Sequence, residues 1–140
     1  MANDINQVYA DRSLDVYPSA ARTATPDTQE YVMFPDTFGG IEVVFDVTAI
    51  GAAASLTLTI LGVDELSGKT WPLATVSPLL AAGGAQTLVV RIHPANPTAA
   101  ATGTPAIQTV QGQIPGRFRI GVTHNNATSN TYTVAAHLTK

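Results

Sequence analysis

The feature that most constrains this chain is a strict two-residue alternation of apolar and polar side chains in five separate segments, the pattern of strands buried on one face. Over 41–47, Ile41, Val43, Phe45 and Val47 share a face, and Glu42 and Asp46 take the other. Over 55–61, Leu56, Leu58 and Ile60 oppose Ser55, Thr57 and Thr59. Over 87–92, Leu88, Val90 and Ile92 oppose Thr87 and Arg91. Over 117–123, Phe118, Ile120 and Val122 oppose Arg117, Arg119 and Thr123. Over 131–138, Tyr132, Val134, Ala136 and Leu138 oppose Thr131, Thr133 and His137. Glu30–Phe34 and Thr70–Val76 are weaker candidates, and Pro72 in the latter has no N–H to give a ladder, which points to an edge strand.

A helical period appears nowhere except as a possible turn around Ile5–Arg12. Short strands separated by Gly, Pro, Asn and Asp turns predict an all-β fold, a single antiparallel β-sandwich of about seven to eight strands. The predicted core takes Ile41 to Phe45, Leu56 to Ile60, Leu88 to Ile92, Phe118 to Val122, and Tyr132 with Val134 on those inward faces. Two regions stand apart. Residues 1–27 lack a sustained period and read as an extended N-terminal arm, leaving 28–140 as the sandwich. Residues 94–115 read as a long Pro/Ala/Thr-rich loop, and loops of such length are usually functional or disordered.

A chain of 140 residues buries roughly 68% of its unfolded surface, enough for a core without staples. It has no cysteine, which rules out disulfides and thiolate metal sites and suits folding in a reducing cytoplasm. The polar, early-acidic MANDINQVYADR does not have the form of a signal peptide, and no apolar run is long enough for a membrane helix. The formal net charge is −3, without the basic stripe through which nucleic-acid binders neutralise phosphate. Neither nucleic acid nor membrane is therefore an expected partner. A surface of Thr, Ser, Asn, Gln and Ala costs little to desolvate and favours broad protein contacts.

The stretch GVDELSGKT at 62–70 imitates a phosphate-binding loop. Five residues separate Gly62 from Gly68 where that motif needs four, and a strand rather than a helix follows. Asp64 and Glu65 would set two negative charges against a phosphate. Ser67-Gly68 is turn chemistry, so a hairpin is expected. The three histidines have no metal-ligand spacing; a His93–His124 pair across strand ends is the one conceivable metal arrangement, and no metal or cofactor is expected. There is no G-x-S-x-G elbow. Glu42 and Asp46 share a face but read as solubilising acids, and Arg117 and Arg119, with Arg91 nearby, are expected to pair across strands with Glu42 or Asp46. A single Trp71 is a thin platform for sugar binding, and the sequon at Asn126 has meaning only in a secreted eukaryotic protein. No catalytic constellation converges, so the chain is not expected to be an enzyme.

In order along the chain stand ARTAT (21–25), GIEVVFDVTAI (40–50), SLTLTILGVDELSGKTWPL (55–73), LVVRIHP (88–94), PGRFRIGVTH (115–124) and SNTYTVAAHL (129–138). This order resembles a family of small virion proteins of tailed bacteriophages, over roughly 20–140. The resemblance implies a capsid decoration, or cement, protein that binds the major capsid protein on the outer head surface as a homotrimer. It would be made in the host bacterial cytoplasm and carried on the virion. The alternative is a tail- or fibre-associated module that binds a host glycan or another tail protein. Residues 94–114 are longer and more Pro-rich than the family pattern, and 1–19 have no counterpart in it. The arm carries Tyr9, Arg12, Tyr17 and Arg22, residue types enriched at interface centres, which makes them the expected capsid or subunit contacts.

Overall fold

The computed structural model of the protein describes residues 5–8, 13–33 and 39–139. In chain order its strands are β1 (Ile5–Val8), β2 (Ser13–Arg22), β3 (Gln29–Met33), β4 (Gly40–Ala49), β5 (Ser55–Val63), β6 (Thr70–Ala74) and β7 (Leu79–Leu80). Then follow β8 (Gln86–His93), β9 (Ala99–Thr102), β10 (Ala106–Gln111), β11 (Arg117–His124) and β12 (Asn130–Thr139), with one 3₁₀ turn at Ala81–Gly83. They form two packed six-stranded sheets. The first runs β1-β3-β11-β5-β6, with β7 also on β5, and the second runs β2-β12-β4-β8-β10-β9. The all-β sandwich expected from alternation is the fold, and no helix among the described residues is long and apolar enough to cross a membrane.

The core follows from the period of two. Phe45, Val43 and Ile41 of β4 meet Leu88, Val90 and Ile92 of β8 in register, with Val134 and Ala136 of β12 on the other side. Opposite them, Phe118, Ile120 and Val122 of β11 lie beside Gly62, Ile60 and Leu58 of β5. Every residue of the predicted core is buried, so the inward register was read correctly. Aromatic pairs pack neighbouring strands within each sheet: Phe45 of β4 meets the Tyr132 ring of β12 edge-on at 5.4 Å, and Tyr31 of β3 stacks on Phe118 of β11 at 5.4 Å.

Four expectations need correction. The pairing is not wholly antiparallel, because β1 runs parallel to β3 and β10 parallel to β8. Residues 5–8 are a strand rather than a helical turn. Residues 13–22 are not a free arm: β2 pairs antiparallel along β12 and buries Val16 and Tyr17. Residues 94–115 are not one long loop, since they hold β9 and β10, through which the chain leaves β8 and returns beside it. Pro72 lies on β6 at the rim of the first sheet, as its missing N–H requires.

Candidate interaction surface

Of the four residues expected to make contacts, Tyr9 and Arg12 lie outside the described residues. Tyr17 and Arg22 belong to the sandwich. Tyr17 is buried, and its hydroxyl donates to the carbonyl of Asp27 at 2.7 Å. Burial, reinforced by Tyr132, pushes its phenol well above the usual range. Arg22 lies over the Tyr132 ring at 4.6 Å and donates to the carbonyls of Pro18 at 2.6 Å and Tyr132 at 3.0 Å. A half-buried guanidinium held by a ring and by backbone acceptors secures the end of β2. His124 Nε2 is 2.9 Å from the Tyr132 hydroxyl, while its Nδ1 is buried without a partner. Burial, helped by the nearby Arg22 charge, lowers its pKa.

The remaining sequence candidates resolve into structural contacts. Arg117 and Arg119 do not pair with Glu42 or Asp46, which project from the other sheet. Instead they grip Glu30 of β3, Arg117 through a short Nε contact and Arg119 through Nε at 2.5 Å. Glu30 is only 1% exposed. Burial pushes its carboxyl up, but hydrogen bonds from Arg119 and Arg117 outweigh that and hold it below its usual value. Arg91 pairs with Glu42 at 2.6 Å on the outer face of the second sheet. His93 lies beside Gly40, and His124 pairs with Leu56 at the opposite end of the sandwich, so the conceivable metal pair cannot form. Among the described residues no group of three or more His, Asp or Glu could hold a metal.

The Gly-Lys-Thr stretch is the β5–β6 hairpin, with Val63 opposite Thr70. Asp64 Oδ2 accepts from the Ser67 amide at 2.8 Å and its hydroxyl at 2.6 Å, which closes the turn. Gly68 takes φ 71°, a left-handed conformation that glycine adopts without strain. Gly62 makes room for the Trp71 indole, since a Cβ there would meet the ring at 2.5 Å. Both glycines of the apparent motif are thus accounted for by hairpin packing.

One surface was missed by motif reading. Between Lys69 and Arg117 the only charged residue is Arg91, and Glu42 neutralises it. The fold gathers this uncharged length on one flank. There β6 and β7 edge the first sheet and β10 and β9 edge the second. Gln108 of β10 ties the two by donating to the Thr75 carbonyl at 2.8 Å. The flank exposes Trp71 (43%), Leu80 (54%) and all of Ala99–Thr102. Its sequence signal was compositional: a span without charge, rather than a spacing of reactive residues.

Next to this flank a cleft of about 710 Å³ opens between the outer face of β4 and β8, the 79–86 segment and the Gly103–Pro105 turn. Asp46 and Thr48 stand on its floor beside Thr87, whose hydroxyl donates to Asp46 Oδ1 at 2.7 Å. Searches against protein-family models, curated proteins and solved structures return no match for this chain.

Proposed function

We propose that this chain is a bacteriophage capsid decoration protein, without catalytic activity, that binds the outer head surface and stabilises the shell. The observation that carries the reading is the uncharged flank made by β6, β7, β9 and β10. A surface of Ala, Thr, Pro and Leu can be covered without desolvating ions, so a contact repeated over a shell gains from area rather than from charge pairs. The order of strand sequences, with its resemblance to small virion proteins of tailed phages, supplies the class of partner, the major capsid protein. The same resemblance supplies the homotrimer.

Several of the acids and bases that might have served catalysis are occupied structurally. Glu42 holds Arg91, Glu30 holds Arg117 and Arg119, and His124 meets Tyr132. Such engagement supports a binding protein over an enzyme. The test is co-sedimentation of the purified protein with empty phage capsids, followed by cryo-electron microscopy of decorated shells. Density for the sandwich on the outer head, in numbers that scale with the capsid subunits, is the expected result. Density confined to the tail, in a few copies, would replace this reading with a tail module.

A further inference from the structure

Among the acids on the sheets, Asp46 is set apart by lining the 710 Å³ cleft, whereas Asp15, which also has no ion pair among the described residues, lies exposed on β2. Glu30 and Glu42 each hold arginine, whereas Asp46 has a hydroxyl partner, Thr87, and no cation among the described residues. It stands on the floor of the 710 Å³ cleft, and no Lys, Arg or His lines that cleft. The walls are mostly short or apolar side chains, Leu79, Ala85, Pro105 and Ala106, with the uncharged Thr104 and Gln86, whose amide nitrogen donates to the Leu80 and Gly84 carbonyls. The cleft therefore carries one negative charge without a cationic partner, with largely apolar, uncharged sides and the Thr48 hydroxyl nearby.

We infer that this cleft is a socket for a basic side chain, lysine or arginine, projecting from the surface the protein docks against. The chemistry matches at both ends of such a side chain. Its methylene stem lies along Leu79, Pro105 and Ala106, while its cationic nitrogen reaches Asp46 and Thr48. An anion would meet the Asp46 carboxylate and be repelled, and a neutral apolar group would leave that carboxylate desolvated and unpaired. The volume lies within the range of small-ligand pockets and exceeds what one side chain fills, so the tip and several methylenes can enter with ordered water. The inference rests on the docking reading above and deepens it. The neutral flank supplies area, and the socket beside it supplies register and orientation.

The test uses the isolated protein and two defined probes, Nα-acetyl-lysine methylamide and Nα-acetyl-arginine methylamide, with Nα-acetyl-glutamate methylamide as the acidic control. Amide resonances are followed by NMR in wild-type protein and in Asp46→Asn, which keeps the Oδ1 acceptor for Thr87. The expected result is saturable shifts at Thr48, Thr87, Gly103 and Ala106 with one or both cationic probes and none with the acid. Binding should weaken about tenfold in Asp46→Asn, the loss of one charge-assisted contact. Shifts absent from these residues, equal for the acidic probe, or unchanged in Asp46→Asn overturn the socket. Whether the lysine or the arginine probe binds more tightly identifies the side chain. Because no capsid enters this measurement, its outcome is separate from the decoration reading. Wild-type protein that binds the probe but fails to sediment with empty capsids overturns the capsid partner and leaves the socket's ligand class standing.

Discussion

At the scale of the residue, the contacts that matter most are those that cannot be replaced by water. Phe45 and Phe118 are fully buried between the sheets, so cutting either to alanine leaves a cavity and removes its transfer energy. Phe45→Ala or Phe118→Ala should each cost roughly 3–5 kcal/mol in urea unfolding. Glu30 is a sharper case because its buried charge is held by two arginines, Arg117 and Arg119. Replacing Arg117 and Arg119 together by alanine removes both guanidinium partners of a buried carboxylate and should cost about 3–5 kcal/mol at neutral pH. Its folded pKa is lowered, so its stabilisation is present above its unfolded titration near about pH 4 and lost as pH falls through the folded value. His124 acts in a higher window. Its folded pKa is also lowered, so the folded state disfavours the proton that the unfolded chain takes up below about pH 6.5. Thermal midpoints of the wild-type protein should therefore fall from pH 7.5 to pH 5, and the fall should be shallower in His124→Gln. Equal slopes in the two proteins would show that the buried, unpartnered Nδ1 has no effect on stability.

At the scale of the element, legibility in the sequence tracks one-sided burial. β4, β5, β8, β11 and β12 each bury one face against the opposite sheet, and their alternation was plain. β2 was invisible for a local reason. Its pairing with β12 shifts register twice, so consecutive Val16 and Tyr17 are both buried, and Pro18 follows within the strand. A bulge destroys the period that a sequence reading depends on. β9 was invisible for the opposite reason, because all four of its residues are exposed and no face is distinguished. The pairing of Arg117 and Arg119 with Glu30 was missed because β3 reaches β11 from a distant part of the chain, and alternation gives faces but not neighbours. β2 also changes what a truncation should do. Deleting residues 1–22 removes Val16 and Tyr17 from the core and uncovers the edge of β12, so the melting temperature should drop markedly. An unchanged melting curve would show that β2 is an accessory strand. The milder Tyr17→Phe removes only the hydroxyl, with its contacts to the carbonyls of Asp27 and Ile120, and should cost about 1 kcal/mol.

At the scale of the whole molecule, charge is distributed unevenly between the two sides of the sandwich. The side built from β2 and β3 carries Asp15, Arg22, Asp27 and Glu30, while β6, β7, β9 and β10 carry none. Ionic groups guard against unwanted edge pairing, and β9 has neither charge nor proline among its four residues. An edge left so open is tolerable where a partner covers it, which agrees with the decoration role proposed above. Two consequences follow for binding. A contact made chiefly by neutral surface should respond weakly to ionic strength, unlike a phosphate-neutralising interface that loses orders of magnitude. Co-sedimentation with capsids should therefore persist from low to high salt, with only the modest slope that one Asp46 ion pair contributes. A charge placed on the flank should do what added salt does not. Ala100→Glu and Leu80→Glu sit at exposed positions, so they should leave thermal unfolding within about 0.5 kcal/mol of wild type. Each should nevertheless cut capsid binding severely, because the new carboxylate must be desolvated against a neutral partner. The matched control, Thr139→Glu, places the same charge at an exposed position away from the flank and should bind as wild type does. If all three variants bind alike, the flank is not the docking face, whichever capsid or tail protein is the partner.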